Sequence, residues 1–106
     1  MELRVFVRGV EQDKGLREYA QSKVSEGLAR YDSHVLSGTV RLEDETGPAK
    51  DAVDKVCSIE LKLRGSEVRV REVGAEFHAV IDVALDRARA ALGRQISKNK
   101  RGVGEG

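Results

Sequence analysis

Four short segments of the chain have the apolar and polar pattern of β-strands. The first, residues 3–8, is rich in apolar and β-branched side chains, and the other three, residues 36–43, 55–64 and 67–71, alternate apolar with polar residues. A period of two residues is typical of a strand that buries one face and leaves the other in water. Gly65-Ser66 separates the last two segments and predicts a tight turn, so we expect a hairpin there.

Two longer segments have the pattern of amphipathic helices. Residues 14–31 and the segment that opens at Gly74 place apolar residues three or four apart, which puts them on one face of a helix. These apolar positions are Leu16, Ala20, Val24, Leu28 and Tyr31 in the first segment, and Phe77, Ile81, Ala84, Leu85, Ala88, Leu92 and Ile96 in the second. We expect Asp13 to cap the first helix and Gly27 to permit close packing.

The element order β-α-β-β-β-α predicts an α+β fold, a two-layer sandwich in which two helices cover one face of a four-stranded sheet. The first strand, the first helix and the second strand form a crossover unit, so these two strands should be parallel if they are adjacent. A chain of 106 residues has room for one domain. We place the domain at residues 1–101 and expect the glycine-rich residues 102–106 to form a disordered tail.

Composition predicts an aliphatic core, because only 4% of the residues are aromatic. Cys57 is the single cysteine, which excludes an intrachain disulfide, and the alternation places it on the apolar face of its strand. The N-terminal residues lack the apolar run of a signal peptide, and no segment approaches the ~20 apolar residues of a membrane helix. We therefore expect a cytoplasmic protein with no membrane partner.

The formal net charge of +1 conceals an uneven distribution. Residues 86–101 contain six basic residues and one acidic residue, whereas the remainder contains 13 basic and 17 acidic residues. A basic end on a mildly acidic body can orient a protein toward a polyanion. Because lysine and arginine also suit helix C-termini, charge alone leaves nucleic-acid binding and a solubilising helix end both open.

The residues that could support catalysis or bind a metal form no recognisable centre in the sequence. His34 and His78 share no metal-ligand spacing with each other or with Cys57. Asp82 and Asp86 lie one helical turn apart, where ion pairs with neighbouring arginines are the simpler interpretation. We expect no enzymatic activity, no cofactor, no metal and no small-molecule substrate.

Basic residues flank the apolar faces of both predicted helices. At 100° per residue, the arginines and lysines of the second helix between residues 87 and 101 include four that lie within about 60° of one another. Two helices on one sheet face could thus present two basic rims and a groove that suits phosphates. The alternative is that these long cations only cover the edge of the buried face. The candidate RNA-binding residues are Lys23, Arg30, Arg87, Arg94, Lys98, Lys100 and Arg101.

Ordered motifs in both helical segments resemble a known family. The first third contains Val10-Glu11, Leu16-Arg17-Glu18-Tyr19, Lys23, Leu28 and Tyr31. The second helix contains Ala75-Glu76-Phe77-His78-Ala79-Val80-Ile81-Asp82 followed by Leu85-Asp86-Arg87. Over about residues 1–100 the ordered set is similar to that of the short ribosome hibernation-promoting factors, which belong to the sigma-54 modulation protein family.

The resemblance implies a fold like that of a double-stranded-RNA-binding domain, in a bacterial factor of the stress response and stationary phase. It implies binding to the small ribosomal subunit and its ribosomal RNA, in the channel used by messenger and transfer RNA, with inhibition of translation. By position, Lys23, Arg87, Arg94 and Lys98 match family cations that face ribosomal RNA. Off the ribosome we expect a monomer.

The chain departs from the family pattern at several positions. Ala90 stands where a basic residue is common, with Arg89 next to it on another helix face, and His78 replaces the more usual tyrosine. The acidic segment 43–51, which we interpret as a loop, is longer than in the plainest members. We expect the protein to lack the C-terminal dimerisation domain of the long members. Two rivals remain: a protein-interaction regulator of the sigma-factor-modulating type that uses the exposed sheet face, and a small enzyme with an unrecognised site.

Overall fold

The computed structural model describes residues 1–9, 13–44 and 54–105, without the side chains of residues 13, 14 and 99–105. The elements are β1 Glu2–Arg8, α1 Asp13–Gly27, a 3-10 helix Ala29–Tyr31, β2 Val35–Asp44, β3 Lys55–Leu63, β4 Ser66–Gly74 and α2 Phe77–Glu105. Their order confirms the predicted α+β class. The predicted cap at Asp13 lies outside the described side chains.

The four strands form one mixed sheet in the order β1-β2-β3-β4. β1 pairs with β2 in parallel, with Val5 beside Val40, and α1 makes the crossover between them, as the sequence predicts. The pairs β2–β3 and β3–β4 are antiparallel. Gly65 closes the β3–β4 hairpin with a φ of 83°, a backbone conformation that glycine adopts without steric strain.

Both helices pack on the same face of the sheet, and the core between the two layers is aliphatic. The largest fully buried side chains are leucine, isoleucine and valine, together with the smaller Cys57. Burial raises the pKa of the Cys57 thiol to about 12, with a further contribution from the negative charge of Glu72. The thiol therefore stays protonated at neutral pH, and the predicted buried position of Cys57 is confirmed.

Gly27 lets the two helices approach each other closely. A Cβ atom added at this residue would lie 2.6 Å from Cδ2 of Leu85 on α2, well inside the normal contact distance. The prediction that Gly27 permits close packing is therefore confirmed. Because both helices carry candidate cations, this contact also sets how far apart these cations lie.

α1 ends at Gly27, earlier than the single helix predicted for residues 14–31. The backbone tightens into the 3-10 helix, in which the Tyr31 N–H donates to the Leu28 carbonyl at 2.9 Å. Glycine lowers helix propensity by about 1 kcal/mol relative to alanine, which favours an end at this position. Leu28 is nevertheless fully buried and Tyr31 half-buried, so the predicted apolar face persists beyond the α-helix.

β2 departs from the predicted alternation at both ends. A register irregularity between Val35 and Ser37 buries Val35 and leaves Leu36 58% exposed, so the predicted place of Leu36 on the buried face is wrong. At its other end the strand continues through Asp44, so the predicted loop does not begin at residue 43. Residues 45–51 of that predicted loop lie outside the described residues.

α2 begins at Phe77, later than the sequence predicts, because β4 continues to Gly74. Its backbone remains helical to Glu105, which differs from the expectation that a disordered tail follows Arg101. The division of the chain into a domain over residues 1–101 and a tail over residues 102–106 stays a prediction.

Candidate nucleic-acid interface

An open groove of about 590 Å³ lies beside the C-terminal half of α2. Seven residues line this α2 groove, and all but the first belong to α2: Tyr31, Arg89, Ala90, Gly93, Arg94, Ser97 and Lys98. The lining combines three cations, a hydroxyl group and an aromatic ring. These are the groups that bind the phosphates and bases of nucleic acids.

Helical spacing brings the polar lining residues together. Arg94 and Lys98 are four residues apart, so they lie about one turn from each other on α2, and Arg89 precedes Arg94 by a little over one turn. Gly93 lies where the ring of Tyr31 approaches the helix. A Cβ atom at Gly93 would be in ordinary van der Waals contact with the Tyr31 hydroxyl oxygen, at 3.7 Å, so the Tyr31 side chain lies directly beside α2.

Arg94 and Lys98 are the cations in the groove that an anion can reach most easily. Both side chains are exposed, and neither forms an ion pair with any residue of the described part of the chain. Arg89 lies 4.0 Å from Asp86, an exposed pair of the kind that contributes about 0–1 kcal/mol. The Arg30 guanidinium lies 5.7 Å from the centroid of the neighbouring tyrosine ring, which adds a cation beside the groove.

Arg87 lies outside the α2 groove, on the flank of α2 that faces β4. Its guanidinium donates to the Glu72 carboxylate and forms an ion pair with it. Glu72 belongs to β4, and its side chain is only 21% exposed. The pair holds Arg87 against the sheet, so the structure does not bring it into the groove with Arg94 and Lys98, although the helical angles group the three residues.

Lys23 lies where α1 faces α2, in a network centred on Asp82. The Tyr19 hydroxyl donates to Oδ1 of Asp82 at 2.9 Å, and Nζ of Lys23 lies 3.9 Å from the same oxygen. The His78 ring packs edge-on against Tyr19, with 4.3 Å between the ring centroids. Burial raises the pKa of Tyr19, and the hydrogen bond to Asp82 raises it further, so the hydroxyl remains a donor. Lys23 therefore has an acidic partner on the flank of α2 away from Arg87.

The structure thus divides the predicted RNA-binding residues. Arg94 and Lys98 share the α2 groove, Arg30 lies beside it, and the other two described cations contact acids on the two flanks of α2. The side chains of Lys100 and Arg101 lie outside the described residues, although the α2 backbone includes both.

The sequence patterns did not identify three polar or aromatic side chains of the groove: Tyr31, Arg89 and Ser97. Periodicity assigned Tyr31 to the apolar face of the first helix, and Arg89 was set aside because it lies on a different helix face from the basic stripe. The sequence pattern holds no signal for them, because the groove depends on the contact between the 3-10 helix and α2.

A second polar cluster joins the two ends of the undescribed segment 45–53. Nζ of Lys55 lies 3.1 Å from Oδ2 of Asp44 and 3.0 Å from Oδ1 of Asp54. Asp54 is only 4% exposed, yet the hydrogen bond from Lys55 holds its pKa below the usual value. The cluster fastens the end of β2 to the start of β3. Across the described residues, no group of three or more His, Cys, Asp and Glu side chains is placed to hold a metal ion.

The fold and the groove define the class: a two-layer α+β domain with a cationic groove on its C-terminal helix. The chain belongs to the sigma 54 modulation protein / S30EA ribosomal protein family, whose model matches residues 3–101. The resemblance inferred from the motifs is therefore confirmed. No curated protein sequence matches the chain significantly.

Two solved structures share the fold. The N-terminal domain of Protein Y from Thermus thermophilus has 28% sequence identity and a TM-score of 0.69, over 89% of this chain and 98% of that domain. A ribosomal subunit interface protein from Coxiella burnetii has 15% identity and a TM-score of 0.71, over 92% of this chain and 99% of that one, and supports the fold alone. None of the helices in the described residues combines the length and apolarity needed to cross a membrane.

Proposed function

We propose that this protein binds the small ribosomal subunit through its basic helix surface, in the channel used by messenger and transfer RNA, and thereby silences idle ribosomes. The observation that carries the proposal is the α2 groove, where Arg94 and Lys98 are exposed and have no acidic partner in the described part of the chain. The family description, which includes a ribosomal protein, supports the ribosome as the polyanion.

The chemistry of the groove suits a folded RNA better than a small substrate. A cation without an acidic partner breaks no ion pair when it meets a phosphate, and each phosphate contact releases condensed counterions. The Ser97 hydroxyl can bind a phosphate oxygen, and Tyr31 with Arg30 offers planar groups on which an unpaired base can stack. The groove is also open rather than enclosed, as an extended polymer requires.

Lys23 and Arg87 would add contacts on the two flanks of α2. The Lys23–Asp82 pair is about half exposed on both sides, so a phosphate can replace the carboxylate with little loss of free energy. The carboxylate that holds Arg87 is more buried, so we expect a smaller contribution from this residue. Lys100 and Arg101 would extend the basic surface along the helix.

A ribosomal partner places the protein in the cytoplasm and gives it a binding role rather than a catalytic one. We further propose that it acts in stress and stationary phase and is monomeric off the ribosome. The other candidate is a regulator that binds a protein through the open sheet face. In its favour are the sigma 54 part of the family description and the exposed side chains Phe6 and Val73.

Co-sedimentation with 30S and 70S ribosomes tests the proposal. The variant Arg94→Glu/Lys98→Glu should lose association, because two attractive contacts become repulsive. Lys62→Glu/Arg64→Glu, which makes the same change in charge at the β3–β4 hairpin, is the matched control and should still pellet with ribosomes. Circular dichroism checks that both variants fold.

Two results would count against the proposal. If the Arg94 and Lys98 variant pellets like the wild type, the α2 groove is not the ribosome-binding surface. If both variants lose association equally, net charge rather than the groove governs binding. Recovery of a protein partner from nuclease-treated extract, together with absence from the ribosome pellet, would favour the regulator.

A further inference from the structure

The face of the sheet that points away from the helices carries a band of arginines across its middle. Two cross-strand rows form this sheet band: Phe6, Arg41, Ser58 and Arg71 in one, and Arg4, Thr39, Glu60 and Arg69 in the other. Alternation assigns both rows to the outer face, because the row between them packs toward the helices. That inner row consists of Val5, Val40, Ile59 and Val70.

The sheet band concentrates arginine on one face of the sheet. Four of its eight residues are arginines and one is a glutamate, an excess of three positive charges that the partners of Arg4 and Arg69, Glu2 and Glu67, reduce to one. All four arginines are exposed. Because adjacent strands lie about 4.8 Å apart, the band extends about 14 Å from β1 to β4. A basic track of this length can follow several phosphates of a nucleic-acid strand.

Phe6 gives the sheet band an aromatic platform. Its side chain is 45% exposed on the edge strand β1, on the side of the sheet away from the core. The Arg41 guanidinium from the adjacent strand lies 5.2 Å from the ring centroid. An exposed ring with a planar cation beside it is an arrangement on which an unpaired base stacks.

Two ion pairs of the band, those of Arg4 and Arg69, are weak enough for phosphates to replace. Arg4 lies 3.3 Å from Glu2, and Arg69 lies 3.0 Å from Glu67. In both pairs the cation and the acid are largely exposed, with side-chain exposures between 44% and 70%. Such pairs contribute about 0–1 kcal/mol.

The composition of the band favours a nucleic acid over a protein partner. The core of a protein interface is apolar and depleted of charge, whereas the only large apolar side chain in the band is Phe6. The hydroxyls of Ser58 and Thr39 lie between the arginines in the two rows, where they can bind phosphate oxygens. The arginines and hydroxyl groups can bind phosphates and the aromatic ring can stack on a base, which together suit a single-stranded nucleic acid.

We propose that the sheet band binds a single-stranded segment of RNA, with one base stacked on Phe6 and phosphates held by the arginines. This goes beyond the ribosome-binding function proposed for the helices, because it uses the opposite face of the domain. A domain with both surfaces contacts two RNA segments at once.

Fluorescence anisotropy with a labelled 12-residue oligouridine tests this proposal on the full chain. Phe6→Ala should weaken binding roughly 5- to 150-fold, since stacking on an aromatic ring contributes about 1–3 kcal/mol per base. Phe6→Tyr keeps the ring and should bind within about twofold of the wild type. The loss caused by Phe6→Ala should be the same when it is measured in Arg94→Glu/Lys98→Glu protein, in which the α2 groove no longer attracts the oligonucleotide, and thermal melts check that each variant folds.

Several outcomes would overturn the sheet-band proposal. Wild-type protein that does not bind oligouridine, or Phe6→Ala binding as well as wild type, excludes the stacking platform. Loss of oligouridine binding in the Arg94 and Lys98 variant alone assigns the oligonucleotide to the α2 groove. If poly-glutamate, added at the same concentration of negative charge as the oligouridine, displaces it from the protein, the partner of the band is an acidic protein. None of these results bears on ribosome pelleting, so the two proposals fail separately.

Discussion

Removal of one cation from the α2 groove should change how ribosome binding depends on salt. Arg94 is exposed and has no acidic partner in the described residues, so Arg94→Ala removes a phosphate contact without leaving a buried charge unpaired. The logarithm of the binding constant falls with the logarithm of salt concentration, by about 0.7 per phosphate contact for single strands and about 0.9 for duplexes. We expect the slope to become shallower by about 0.7–0.9 in Arg94→Ala, and by about twice as much in Arg94→Ala/Lys98→Ala.

The same slopes give the expected change in affinity. Salt that rises about fourfold, from about 50 to 200 mM, weakens two phosphate contacts by about tenfold in total. The disadvantage of the double variant relative to wild type should therefore shrink by about tenfold over this range. The assay is fluorescence anisotropy of labelled protein with purified 30S subunits at four or more salt concentrations. Arg64→Ala, an exposed cation at the β3–β4 turn, is the control with the same change in charge.

Two results would contradict a phosphate contact at Arg94. If Arg94→Ala binds more weakly at every salt concentration but keeps the wild-type slope, Arg94 acts through packing and not through a phosphate. If Arg64→Ala lowers the slope by the same amount, the effect belongs to the total charge of the protein. Either result would remove the α2 groove as the physical basis of the proposed function.

Three further predictions test contacts outside the groove. Glu72→Gln should free Arg87 for phosphate and strengthen 30S binding at low salt, an increase that anisotropy measures and that unchanged affinity would rule out. Gly27→Ala should lower the free energy of unfolding by about 1 kcal/mol. The added methyl group overpacks the contact with α2, which costs about 1–3 kcal/mol, and the higher helix propensity of alanine offsets about 1 kcal/mol of this cost. Urea melts should show that this loss disappears when Leu85 is also alanine; purely additive effects would contradict the contact. Folding lowers the pKa of Asp54, so this carboxylate stabilises the fold at pH values above its unfolded pKa of about 3.9. The stabilisation is lost as the pH falls and the carboxylate is protonated. The urea midpoint of Asp54→Asn should therefore drop less between pH 7 and pH 3 than the midpoint of the wild type.

The fold was largely predictable because the spacing of the apolar residues and the order of the elements determine it together. Alternation identified the strands, helical spacing identified both helices, and the crossover rule predicted the parallel β1–β2 pair. The errors came from tertiary register, which local patterns do not contain. A bulge at Val35 turned Leu36 outward, and pairing with β3 carried β4 to Gly74, where the sequence predicted the start of a helix.

The candidate site was predictable in its cations but not in its shape. Helical angles grouped Arg87 with Arg94 because both lie on the same side of one helix. They could not show that a glutamate on β4, distant in sequence, holds Arg87 and leaves Arg94 without an acidic partner among the described residues. Helical periodicity also did not place Tyr31 in the groove, because this residue reaches the groove through a 3-10 turn that the α-helical period does not describe.

Internal ion pairing, more than net charge, decides which cations of this nearly neutral chain can bind a polyanion. A cation that already contacts a carboxylate must exchange one acid for another, so its gain from a phosphate is a difference between two similar energies. Arg94 and Lys98 form the phosphate contact without that exchange, whereas Lys23 gives up a half-exposed partner and Arg87 a more buried one. Their contributions to binding should therefore fall in that order.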